Sequence, residues 1–237
     1  MFELPDPLPP GALTAAHPDA SPMPGATWWH GHPAAWDVDP QTGALALWRA
    51  HKSGPPLEPT GPNQNNGQPG ELDTLQGLQL RERVHCGMVA ENAVIAASFT
   101  VAIRYYVTPG SAARTLFTVN TPDNYLFLSD TGGTLIAKDD RGRIAATLPS
   151  PETEAPKLAI VTLNGTQLTL TLDDKTTRAK AIDQILDGTG SLFIGCRNNR
   201  PRLLKTLGSA LILDVWHFAK PITDATPLKR HHLWAST

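Results

Sequence analysis

Three arginines and two asparagines fall within six residues, Arg197-Asn198-Asn199-Arg200-Pro201-Arg202. A guanidinium presents a rigid fork of donors, and an asparagine amide offers both donor and acceptor. Together they can pair with carboxylates or hydroxyls in two places at once. The same composition also suits a solvated loop or a subunit contact. Tyr106 is a further contact candidate, because alternation along 98–107 turns one of Tyr105 and Tyr106 outward. Four tryptophans, Trp28, Trp29, Trp36 and Trp48, offer flat faces on which sugar C–H edges can pack, and each also suits a core. His30-Gly31-His32 would put two imidazoles on one face of a strand, but a zinc ion needs a third ligand that the sequence does not place. Asp37-Val38-Asp39 lacks the later glutamate of a calcium loop and reads as part of a turn. No metal site is therefore expected.

Enzymatic motifs are missing. A glycoside hydrolase on a β-sheet needs paired carboxylates on one face of a strand, about 5–5.5 Å apart in retaining enzymes. Asp139-Asp140 and Asp173-Asp174 are adjacent pairs at strand ends, so their side chains diverge and solvated turns are expected. The chain has neither a G-x-S-x-G elbow nor a P-loop. The expectation is a protein that binds rather than catalyses.

The elements that would carry these residues are short strands. In SFTVAIRYYV, Phe99, Val101, Ile103, Tyr105 and Val107 alternate with Thr100, Ala102, Arg104 and Tyr106. RTLFTVN, NYLFLSD, GTLIAKD, RIAATLP, KLAIVTL, TQLTLTLD, SLFIGCR and ALILDVWHF follow, each bounded by turn residues. Asn164-Gly165 marks a hairpin, and Asp39-Pro40-Gln41-Thr42-Gly43 marks another between Trp36–Val38 and Ala44–Trp48. The proline- and glycine-rich stretch 53–70 reads as a long loop. Thr226 and Pro227 open one short helix near the end.

Composition bounds the rest. The 237 residues are 41% hydrophobic and 18% charged with a net charge of −2. That supplies a core and no basic field for nucleic acid. No apolar run is long enough to insert into a membrane, and MFELPDPLPPG lacks the features of a signal peptide, so synthesis in the cytoplasm is expected. Cys86 and Cys196 read as buried, reduced thiols. Seven of the 22 prolines lie in residues 1–25, which reads as an extended arm with Phe2, Leu4, Leu8 and Leu13 available to dock on a partner. The chain divides into this arm, a sandwich over 26–220, and a tail over 221–237.

Residues 98–218 resemble the laminin-G-like, concanavalin-A-like jelly-roll family. The likeness rests on the strand series above, on Leu192 to Gly195 preceding a charged loop, and on Gly208 through Asp214-Val215-Trp216 closing a sheet. It extends loosely to 26–220. It implies an all-β antiparallel sandwich, a lectin-like binding face, and calcium as the one ion a loop could take, with no ligand set placed; no other cofactor is implied. A weaker resemblance, to spike or decoration proteins of tailed phages and gene transfer agents, implies a homo-oligomer held in a particle by its arm, contacting a glycan or a further subunit. A structural adaptor without sugar binding and a glycan-active enzyme on the same fold are the alternatives.

Overall fold

The computed structural model describes residues 24–200 and 204–234, the side chain of Trp234 excepted. Phe2, Leu4, Leu8, Leu13 and Arg202 lie outside the described residues. The strands, in chain order, are β1 (Ala26–His30), β2 (Trp36–Val38), β3 (Leu45–Trp48), β4 (Glu58–Pro59), β5 (Gln68–Leu72), β6 (Leu75–Leu80), β7 (Met88–Ile95), β8 (Ser98–Tyr106) and β9 (Arg114–Asn120). Then come β10 (Tyr125–Asp130), β11 (Thr134–Asp139), β12 (Ala145–Pro149), β13 (Lys157–Asn164), β14 (Gln167–Leu172), β15 (Lys175–Lys180), β16 (Thr189–Ile194) and β17 (Ala210–Phe218). One helix, α1 (Thr226–Trp234), ends the described chain. Among these residues no helix is long and apolar enough to cross a membrane.

The strands form an antiparallel sandwich of jelly-roll type. An eight-stranded sheet runs β15-β14-β13-β8-β17-β6-β5, with β1 also paired to β17. A seven-stranded sheet runs β12-β11-β10-β9-β16-β7-β4. Alternation decides what lies between them: Phe99, Val101, Ile103 and Tyr105 of β8 meet Leu126 and Leu128 of β10 and Leu192 and Ile194 of β16 in one apolar core. Trp29, Trp36 and Trp48 belong to the same core, so three of the four N-terminal tryptophans act as fillers.

Two hairpins follow from turn chemistry. The residues bridging β13 and β14 are Gly165 and Thr166, since Asn164 pairs with Gln167. Gly165 takes φ +60°. Glycine thus occupies the first central position, which suits a type II′ turn rather than the I′ turn that Asn-Gly suggests. Between β2 and β3, Asp39 accepts from the Gln41 amide and the Thr42 hydroxyl, both at 2.8 Å.

The structure corrects the expectation of a loop over 53–70. Glu58–Pro59 and Gln68–Leu72 are strands at sheet edges. KTTRAK, which has no apolar alternation, forms the outermost strand β15. Proline and lysine there discourage a further strand from pairing, which is why these edges look unlike strands in sequence. Asp224, rather than Thr226, supplies the acceptor at the start of α1, taking the Thr226 amide at 2.8 Å. Gly31, just after β1, lies against β6 and β17. A Cβ there would sit 1.9 Å from the Gln76 carbonyl oxygen. Gly31→Ala is therefore expected to cost about 1–3 kcal/mol, read as a lower urea midpoint.

Candidate ligand-binding face

The outer face of the seven-stranded sheet carries the residues that alternation turns away from the core. Strand register aligns them into two rows. In the first, Lys138 of β11 pairs with Phe127 of β10, Phe127 with Thr118 of β9, Thr118 with Phe193 of β16, and Phe193 with Val89 of β7. In the second, Tyr125 pairs with Asn120 and Asn120 with Ser191. The Ser191 hydroxyl donates to Glu91 Oε2 at 2.6 Å. The first row is mainly apolar and aromatic and, Lys138 apart, buried, with Phe127 2% and Phe193 3% exposed; the second is more polar, with Tyr125 and Ser191 buried and Asn120 half-buried.

The loop after β16 folds over the first row. Gly195 adopts φ +75°, a conformation that favours glycine and turns the chain back across the sheet. The Cys196 carbonyl then accepts from the Thr118 hydroxyl at 3.1 Å. The Cys196 side chain packs with Val89, Phe193 and Leu207. Burial pushes its thiol up to about 12, so it is unreactive; both cysteines are free and buried. One residue on, the Arg197 guanidinium lies 4.0 Å from the centre of the Phe127 ring. Lys138 Nζ approaches the same ring at 5.7 Å, and the Tyr125 ring is 6.0 Å away. Burial, then the neighbouring Asp140 carboxylate, raises the Tyr125 hydroxyl above its ordinary value, while Arg197 draws it down.

The residues singled out from sequence are divided by this arrangement. Arg197 reaches the aromatic row. Asn198 and Asn199 use their side-chain oxygens to shape the loop, accepting from the Arg200 amide at 2.9 Å and the Gly61 amide at 3.2 Å. Arg200 is exposed. Tyr106 does point away from the core, but β8 belongs to the other sheet, so it lies on the opposite side of the sandwich from Arg197. Sequence reasoning missed Tyr125, Phe127, Lys138 and Asn120. The signal was available, since alternation in NYLFLSD that buries Leu126 and Leu128 must turn two aromatic rings outward.

The other candidates have structural roles. Asp37 pairs with Arg49, and Asp39 is held by its own turn. Asp139 is 1% exposed. Burial would raise its pKa, but hydrogen bonds from the Ile144 and Arg143 amides, Asn124 and the Arg143 guanidinium lower it overall. The expectation of a solvated turn fails there, because the loop closes over the carboxylate. Asp173, at φ +50°, turns the β14–β15 hairpin. His32 Nδ1 accepts from the Ala34 amide and His30 Nδ1 from the His32 amide. Among the described residues no group of three His, Cys, Asp or Glu is placed to hold a metal ion.

The outer face of the eight-stranded sheet is covered too, around β1 and β17. Trp28 and Trp216 stack with centroids 6.1 Å apart, and Leu228 of α1 packs into the same cluster. Asp214 accepts from Trp28 Nε1 at 3.1 Å and from Arg104 Nη1 at 3.3 Å. The rings of His30, His51 and His231 lie 5.0, 5.2 and 5.5 Å from Trp28.

No family model matches the chain, and no curated protein matches it in sequence. Solved structures do share its fold. The chain is similar to the binding domain of botulinum neurotoxin serotype G, with 10% identity and a TM-score of 0.53 over 76% of this chain and 46% of that one. It is similar to the serotype D/C binding domain, with 9% identity and a TM-score of 0.56 over 88% and 51%. It is also similar to Trypanosoma rangeli sialidase in complex with sialic acid, with 11% identity and a TM-score of 0.58 over 90% and 33%. The chain thus spans about half the length of the toxin domains and a third of the sialidase.

Proposed function

We propose that this protein is a non-catalytic, lectin-like module that binds a glycan on the outer face of its seven-stranded sheet. The observation that carries the reading is the rim of that face, where the exposed Lys138 and the half-buried Arg197 and Asn120 surround the Phe127 and Tyr125 rings, themselves 2% and 7% exposed. Such a rim gives sugar hydroxyls and charged groups polar partners, and the little ring surface left open gives a small apolar contact. The shared fold with a sialidase solved with sialic acid agrees with this reading, although fold does not fix function. Binding without turnover is supported by the spacing of the carboxylates. Asp140 neighbours Tyr125 on β10 and Glu91 lies on β7, three strand spacings away, or roughly 14 Å. That exceeds the roughly 5–9.5 Å between the two carboxylates of most glycoside hydrolases.

A glycan array probed with the full chain tests the reading. Defined hits are expected, and Asn120→Ala should weaken the best of them about tenfold, the size of one or two lost hydrogen bonds, with an unchanged melting temperature. A blank array would count against it, and release of sugar from a bound glycan would make the protein an enzyme instead. The setting proposed with this reading is an assembled, phage-like particle anchored by residues 1–25. Full-length chain, but not a chain starting at residue 26, should then co-sediment with particles; equal co-sedimentation removes the anchor.

A further inference from the structure

We infer that this face selects anionic glycans, with a carboxylate or sulfate group seated between Arg197 and Lys138. The inference rests on the glycan-binding reading above and adds the charge class of the ligand. Lys138 is the cross-strand partner of Phe127, and both it and Arg197 approach that one ring, at 5.7 and 4.0 Å. An aromatic face attracts each cation separately. It does nothing to relieve the repulsion between them, and an anion placed between them converts that repulsion into two attractions.

The charges nearby leave this pair in excess. Asp140 is the carboxylate at this end of the face, and it lies at the Tyr125 hydroxyl. Glu91 is at the far end, engaged by Ser191. Among the described residues, Arg197 Nε is enclosed without a hydrogen-bond partner, and the guanidinium meets the Tyr125 hydroxyl. Its central carbon lies 4.0 Å from the Phe127 ring centre. A guanidinium suits the two-point hydrogen bonding of a carboxylate or sulfate. A neutral sugar could use Asn120 but would bring neither cation an anion.

The test is an array of matched neutral, sialylated, uronic-acid-containing and sulfated forms of the same oligosaccharides. It is probed with the full chain and with Lys138→Gln, an exposed position whose change leaves the core intact. Binding should concentrate in the charged forms by about tenfold or more over their neutral counterparts. That advantage should shrink between low and high salt, and Lys138→Gln should remove most of it, lowering binding of the charged forms far more than of the neutral ones. Arg197→Gln should act in the same direction. Sialylated or uronic hits alone would identify a carboxylate, and sulfated hits alone a sulfate. Equal binding of charged and neutral forms overturns the charge selection and leaves the glycan reading standing. An array blank throughout overturns both.

Discussion

Asp130→Ala is expected to destabilise the protein by about 3–5 kcal/mol, the cost of stripping one partner from a buried charge network. Asp130 is fully buried at the end of β10. Its Oδ2 accepts from the Tyr105 hydroxyl at 3.0 Å and the Ser150 hydroxyl at 2.8 Å, and Lys157 Nζ lies 3.6 Å away. Its Oδ1 accepts from the Gly132 amide at 2.9 Å. These contacts join β8, β10, β13 and the segment after β12 at one end of the sandwich. Without the carboxylate, Lys157, 4% exposed, is left with the Ser150 hydroxyl at 2.9 Å as its hydrogen-bond partner. The Tyr105 hydroxyl loses its acceptor in the core. The check is urea unfolding, where the midpoint should fall with little change in slope. Asp130→Ala combined with Lys157→Met should recover part of the loss, because the stranded cation is then gone. A single-variant loss below about 1 kcal/mol would show that the network is solvated in practice, since exposed pairs contribute that little.

That network shows where the sequence was readable and where it was not. Alternation within one segment is local, so β8 and its inward residues could be read directly, as could the turn at 39–43, where proline and glycine restrict the backbone. Edge strands were harder. β15 and β5 are held by ladder bonds to one neighbour, and their side chains serve to repel further pairing rather than to fill a core. The functional face was legible only in halves. The contact of Arg197 with Phe127 joins residues 70 positions apart in sequence, through a backbone turn at Gly195 that no periodicity announces. Tyr106 looked equivalent to an outward residue near that loop until sheet order put β8 in the other layer. Asp130 and Asp139 have the same sequence context as a solvated aspartate at a strand end. Only the closing of distant segments over them makes them structural, and that information is tertiary.

The second large effect is on acid stability, and its sign follows from burial. His217 on β17 is 5% exposed, and desolvation pushes its pKa down from 6.5 to about 4. Burial likewise lowers His30 and His231, against the pull of Asp214. It lowers His232 too, with Arg104 acting in the same sense and Asp173 opposing. The folded state therefore favours the neutral rings. The unfolded chain takes up protons as pH falls below about 6.5, while the folded chain holds them off until lower pH. The unfolded state binds more protons throughout this window, so stability is full above about pH 6.5 and declines towards pH 4. For His217 alone the decline amounts to about 3 kcal/mol, from roughly 1.4 kcal/mol per pH unit over its displacement. Unfolding free energies measured by urea at intervals from pH 7 to 4 should show that slope, and His217→Leu should flatten it by about the same amount. Asp139 acts in a separate window. Its lowered pKa gives stability that is present above about pH 4 and lost as pH falls through the folded value. The histidine decline should thus come first, followed by a carboxylate decline below it. Because His231 and His232 both lie on α1, hydrogen exchange in that helix should quicken in the first window, before the sheets loosen. Unfolding free energies that stay level from pH 7 to 4.5, or a slope untouched by His217→Leu, would show that these rings take up protons as readily in the fold as out of it.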